Sequence, residues 1–115
     1  MRIDIGEFVQ YMGGKGRVAP AVARVILDHA GDADTYLEPF LGAGFVFHRV
    51  APHFRNRTAS DAMPDLVLLW RALLDGWEPP DVLTREDYSV LRRAEPSALR
   101  AFAGFGCSFG GKWFG

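Results

Sequence analysis

Between residues 20 and 30 the apolar side chains Val22, Val25 and Ile26, with His29 in the same row, follow the i, i+3, i+4, i+7 spacing of one helix face. Pro20 near the start and Gly31 just past the end bracket that stretch, so an amphipathic helix is predicted from Pro20 to Ala30. The acidic turn Gly31-Asp32-Ala33-Asp34 leads into Thr35-Tyr36-Leu37-Glu38, a short β-prone run closed by Pro39, which cannot donate to a ladder. The loop Phe40 to Gly44 then precedes Phe45–Val50, enough chain for about two helical turns. A second short strand is predicted at Thr58-Ala59-Ser60, ending in Asp61. From Pro64 the set Leu66, Leu69, Trp70 and Leu73 restores the helical period until Asp75-Gly76, where glycine is the expected stop. Strand, helix, strand, helix in that order predicts an α/β fold with parallel strands and flanking helices.

Beyond Gly76 the pattern weakens. Trp77-Glu78-Pro79-Pro80 reads as a linker, and Thr84 with Asp87 three residues on resembles a capping box with Asp in place of Glu. A helix is predicted from about Arg85 to Ala94, and a shorter one after Pro96. The last twelve residues, Gly104 to Gly115, hold five glycines and four aromatics and are predicted not to sustain a helix. Phe105, Phe109, Trp113 and Phe114 would expose much apolar area there unless something covers them.

Composition narrows the class. With 115 residues the chain holds one domain and one modest core, and 49% hydrophobic with 23% charged residues is an ordinary globular balance. No run of 18 apolar residues and no signal-peptide grading at Met1-Arg2-Ile3-Asp4 point to a cytoplasmic protein. One cysteine, Cys107, and three scattered histidines, His29, His48 and His53, give no reason to expect a disulfide or a metal site. A net charge of −1 argues against nucleic-acid binding by bulk electrostatics, so any DNA contact is expected to be local. The basic residues are 11 arginines and only two lysines, Lys15 and Lys112, and each lysine follows a Gly-Gly pair.

Glu38-Pro39-Phe40-Leu41-Gly42-Ala43-Gly44 puts a carboxylate at a strand end and glycines in the turn before a helix, where backbone must approach a ligand closely. Asp61, at the tip of the next strand, is placed to accept hydrogen bonds from ribose hydroxyls. Upstream, Tyr11-Met12-Gly13-Gly14-Lys15-Gly16 joins an aromatic and a cation in a flexible loop, able to stack on a base and clamp a carboxylate. The bland reading keeps Gly42 and Gly44 as turn formers, Glu38 as a solvated strand end and Asp61 as a helix cap. A phosphate-binding P-loop is disfavoured, because Gly16 stands where the Mg²⁺-binding hydroxyl belongs and Val9 where the leading glycine belongs.

These three motifs, Tyr11-Met12-Gly13-Gly14-Lys15, Glu38 to Gly44, and Ser60-Asp61-Ala62-Met63-Pro64-Asp65-Leu66, occur in the order found in Dam-type (D12 class) DNA adenine-N6 methyltransferases, which the chain resembles over about residues 8 to 76. The resemblance implies a partial Rossmann-like fold that binds S-adenosylmethionine, with cofactor contacts from Tyr11, Gly13, Gly14, Lys15, Glu38, Pro39, Phe40, Gly42, Gly44 and Asp61. Two departures stand out. Tyr11 replaces a frequent Trp, and Asp61-Ala62-Met63 replaces a frequent Asp-Ile-Asn but keeps the carboxylate. The terminal Phe109-Gly110-Gly111-Lys112-Trp113-Phe114-Gly115 resembles a segment of phage-type members near their target-recognition region, which makes Lys112 a candidate DNA contact.

The resemblance thus divides the chain into cofactor motifs at 1–76 and a helical and Gly/aromatic segment at 77–115 leading toward target recognition. Its implied partners are double-stranded DNA containing adenine and, where the rest of the enzyme is a separate polypeptide, a second chain supplying the missing half; no membrane is implied. The family's catalytic Asp-Pro-Pro-Tyr does not occur, so no catalytic residue is assigned. Glu78-Pro79-Pro80-Asp81 is a decoy, with glutamate for the short polar residue, aspartate for the aromatic, and a helix rather than a strand before it. Three readings stay open: an N-terminal part of an adenine methyltransferase that is inactive alone, a non-catalytic cofactor- or DNA-binding remnant, or an unrelated small α/β nucleotide binder.

Overall fold

The structure, a computed structural model, describes residues 16–115, so the motif Tyr11, Gly13, Gly14 and Lys15 lies outside the described residues. The order is α1 (Ala19–His29), β1 (Thr35–Glu38), α2 (Phe45–Val50), β2 (Asn56–Ala59), α3 (Pro64–Leu74), α4 (Arg85–Arg92) and α5 (Ala98–Ala101). A 3₁₀ turn, Ala51–His53, links α2 to β2. The two strands pair in parallel, with Thr35 opposite Asn56 and Glu38 opposite Ala59. Asn56 N donating to Asp34 O (2.9 Å) and Ser60 N to Glu38 O (2.9 Å) extend the ladder at both ends. The α/β arrangement with parallel strands and flanking helices is therefore present, although β2 starts two residues before the predicted Thr58 and ends at Ala59.

Two apolar clusters hold these elements. Ala23, Val50 and Phe54 are buried against Ile26, Leu27, Ala30, Tyr36 and Val46, which packs α1 and α2 onto one face of the sheet. The second cluster joins Leu66, Leu69 and Leu73 of α3 to Ala43, Ala101 and Phe105. Leu66 and Leu69 are fully buried. Truncating such a side chain to alanine costs about 2–5 kcal/mol.

The structure corrects the predicted face of α1. Its buried positions are Ala19 and Ala23, and Val25 is 59% exposed. Small alanines let two helix backbones approach, so α1 turns its Ala19–Ala23 row inward and leaves Val22 and Ile26 at the rim of a cleft.

The C-terminal stretch is also corrected. Phe102–Gly106 forms a π-helical turn continuing α5, and Phe109–Gly111 a 3₁₀ turn, despite the glycines. Packing overrides propensity here. Phe105 and Phe114 are buried, Trp113 packs on both rings, and Tyr88 of α4 packs on Phe114. The chain covers most of its own aromatic tail; Phe109 alone of the four stays out, at 92% exposure. The capping box at α4 forms as predicted: Asp87 N donates to Thr84 Oγ1 (3.1 Å) and Thr84 N to Asp87 Oδ2 (3.2 Å).

The outer edges of β1 and β2 have no strand partner among the described residues, and Leu37 is 67% exposed on the face away from Tyr36. Unpaired edges beside exposed apolar side chains favour association. The chain is expected to self-associate as its concentration rises, and sedimentation velocity over a dilution series checks this. A monomer at every concentration would refute it. No helix among the described residues is long and apolar enough to cross a membrane.

Candidate functional site

The parallel pairing puts the C-terminal ends of β1 and β2 side by side, and that end of an open α/β sheet is where ligands bind. A cleft of about 700 Å³ lies there, within the usual span of small-molecule sites. Glu38, Pro39, Phe40, Gly42, Gly44 and Asp61 all line it, so six of the residues singled out in the sequence converge on one concavity. Val22 and Ile26 of α1 form its apolar wall, joined by Tyr36, Leu37, Phe45 and Val46. Gly16, the first described residue, lies beside α2: a Cβ on it would stand 3.6 Å from the Phe45 ring.

The glycine loop is held at several points. Gly42 and Gly44 adopt left-handed φ of 53° and 78°, which suits glycine because a Cβ there meets backbone. Gly44 N donates to Leu41 O (2.8 Å), and Leu41 N to Ser60 O (3.0 Å), fastening the loop to the end of β2. A Cβ on Gly44 would lie 2.2 Å from Cζ2 of Trp70. Trp70 Nε1 is buried without a hydrogen-bond partner among the described residues, a state that costs about 1–3 kcal/mol.

Asp61 does more than face the cleft. Its Oδ2 accepts the Gly42 N–H (2.8 Å) and its Oδ1 the Met63 N–H (2.9 Å), so one carboxylate ties the glycine loop to the residue before α3. An ionised carboxylate offers about four lone-pair positions, which leaves two for a ligand's hydroxyl groups.

Glu38 is half-buried and takes a hydrogen bond from the Tyr36 hydroxyl (2.9 Å), because alternate residues of a strand share a face. Burial pushes its carboxyl above the usual range, while the Tyr36 hydrogen bond pulls it partly back. Burial, with Glu38 beside it, pushes the Tyr36 phenol up in turn. A raised carboxyl contributes its stability at low pH and loses it as pH rises through the folded-state value. Removing the hydroxyl by Tyr36→Phe is expected to move Glu38 further up, measurable by NMR titration of its side-chain carbon. An unchanged or lower midpoint would contradict this account.

Lys112 stands apart. It is exposed at the C-terminal turn, its aliphatic stem against Gly115, and it does not line the cleft. Sequence reasoning did not assign Tyr36 or Trp70 to the site. The i, i+2 spacing of Tyr36 and Glu38 could have shown the first, but nothing local signals the second.

Comparison with known proteins supports the same direction. A segment of 45 residues is 40% identical to the Type II methyltransferase M.CviBI of Paramecium bursaria Chlorella virus NC1A. That match covers 39% of this chain and 17% of the viral protein, so the chain corresponds to a small share of the relative's length. No solved structure matches the chain. Residues 11–97, most of the chain, match the sequence model of the D12 class N6 adenine-specific DNA methyltransferases, and the chain belongs to that family.

Proposed function

We propose that the cleft at the ends of β1 and β2 is the S-adenosylmethionine site of an adenine-N6 DNA methyltransferase, and that this chain supplies the cofactor-binding part of a Rossmann-like fold of Dam type. The observation that carries the reading is the meeting of Glu38, the Gly42–Gly44 loop and Asp61 in one cleft, with Glu38 closing β1 and Asp61 two residues past β2. The donor set fits the cofactor's chemistry. Asp61 retains lone pairs for the ribose hydroxyls, and Glu38, a carboxylate reluctant to ionise in its half-buried place, gains from a cationic neighbour such as the amino acid ammonium. Val22 and Ile26 offer an apolar wall to the adenine ring. Tyr11, Gly13, Gly14 and Lys15, outside the described residues, would complete the site, with Lys15 against a carboxylate and Tyr11 stacked on a base.

Bound there, the cofactor supplies a sulfonium methyl group for the exocyclic amino group of adenine in double-stranded DNA. That transfer requires the base to leave the stack and its amino nitrogen to be aligned, which this sequence has no Asp-Pro-Pro-Tyr to do. The chain's own part is therefore to hold the cofactor, in a cytoplasmic protein, with Lys112 available to a DNA phosphate; no Asp-Pro-Pro-Tyr is present in it to align the adenine. Titration calorimetry of the chain with S-adenosylmethionine tests the reading. Saturable binding that ATP does not reproduce supports it; no binding by a folded chain overturns it.

A further inference from the structure

We propose that Trp70 is the positioning residue of the glycine loop, a role that rests on the cofactor reading of the cleft. The loop is gripped from two sides by the chain that follows β2. Asp61 holds Gly42 through its backbone N–H, and Trp70 closes the other side. A Cβ at Gly44 would stand 2.2, 3.0 and 3.2 Å from Cζ2, Cη2 and Cε2 of the indole, so the six-membered ring occupies the space a side chain would need. Gly44 is itself buried, and its neighbour Ala43 sits in the same cluster as Leu66 and Leu69 of α3.

The support behind the ring is firm. Leu66, Leu69 and Leu73 fix α3 in the core, and Asp65 in its first turn is paired with Arg100. A ring on a fixed helix, pressed on a left-handed glycine, sets where the loop's backbone stands relative to Asp61. Binding sites need that placement held within about half an ångström. Packing does not require the indole nitrogen, which has no partner among the described residues, so an apolar ring of similar reach should do the same work.

The test is calorimetric titration of the full chain with S-adenosylhomocysteine, with circular dichroism and melting temperature recorded for every variant. Trp70→Ala is expected to lower affinity at least about tenfold, and Trp70→Phe to keep it within about threefold with an equal or higher melting temperature. Gly44→Ala is expected to lose affinity because its methyl meets the ring. Adding Trp70→Ala to it should restore part of that loss by opening the space. A double variant that binds no better than Gly44→Ala would mean the contact between ring and glycine does not set the loop, and would overturn the proposal. If the unmodified chain binds no S-adenosylhomocysteine, the cofactor reading fails and this proposal with it. If it binds and a folded Trp70→Ala binds equally well, the positioning role alone is overturned. Should Trp70→Ala fail to fold, a Trp70→Phe variant that folds but has lost affinity overturns the role of ring packing by itself.

Discussion

Replacing Asp61 with alanine is expected to lower the affinity for S-adenosylmethionine at least about tenfold and to lower the melting temperature of the ligand-free chain as well. Both effects come from one carboxylate. It accepts the Gly42 N–H at 2.8 Å and the Met63 N–H at 2.9 Å, and hydrogen bonds to a charged group are worth about 1.5–3 kcal/mol each. Without them the glycine loop loses its tie to the start of α3, and the cleft loses the acceptor proposed for the ribose. Asp61→Asn separates the contributions. Its amide oxygen can accept one of the two N–H groups, but its NH₂ must then face the other donor, so the tie is broken while the side chain keeps its size. Calorimetry for affinity and thermal unfolding of the ligand-free protein read the two effects independently. Unchanged affinity in a folded Asp61→Ala chain would remove Asp61 from the cofactor site, and unchanged stability would remove it as a tie between the loops.

The lining of the candidate cleft was more legible in the sequence than the packing around it. Glu38, the glycines and Asp61 could be placed because chain order alone fixes what stands at the ends of two adjacent parallel strands. The bonds made by Asp61 were not readable, since Gly42 is 19 residues away and only the folded loop brings its N–H to the carboxylate. The inward face of α1 was misread because alanines weigh little in a hydrophobic pattern, yet Ala19 and Ala23 are what allow close helix contact. β2 was placed late because Asn56 and Arg57 are polar and exposed, leaving no alternation to mark its start. In the tail, glycine propensity predicted no helix, and the turns formed because Phe105, Trp113 and Phe114 could bury one another.

Replacing Arg100 with leucine is expected to destabilise the chain by about 3–5 kcal/mol, because it removes one partner of a buried ion pair and leaves the other charge in place. Asp65 is 2% exposed; its Oδ2 takes a hydrogen bond from Arg100 Nη1 (3.0 Å) and its Oδ1 one from Ser97 N (3.2 Å). The same guanidinium donates to the Leu91 and Arg92 carbonyls at the end of α4, and lies 5.0 Å over the Trp113 ring and 5.7 Å over Phe114. One side chain therefore fastens α3, α4, α5 and the aromatic tail together, across 35 residues of sequence to Asp65. At roughly 4–8 °C per kcal/mol for a domain near this size, the melting temperature should fall by more than about 10 °C. The double variant Asp65→Leu/Arg100→Leu, which removes both charges, is expected to melt above the single Arg100→Leu, since no unpaired carboxylate remains in the core. Thermal unfolding of the four proteins of this cycle measures the coupling. If the two single losses simply add in the double variant, the pair is not coupled, and Arg100 acts through the Leu91 and Arg92 carbonyls and the aromatic rings instead.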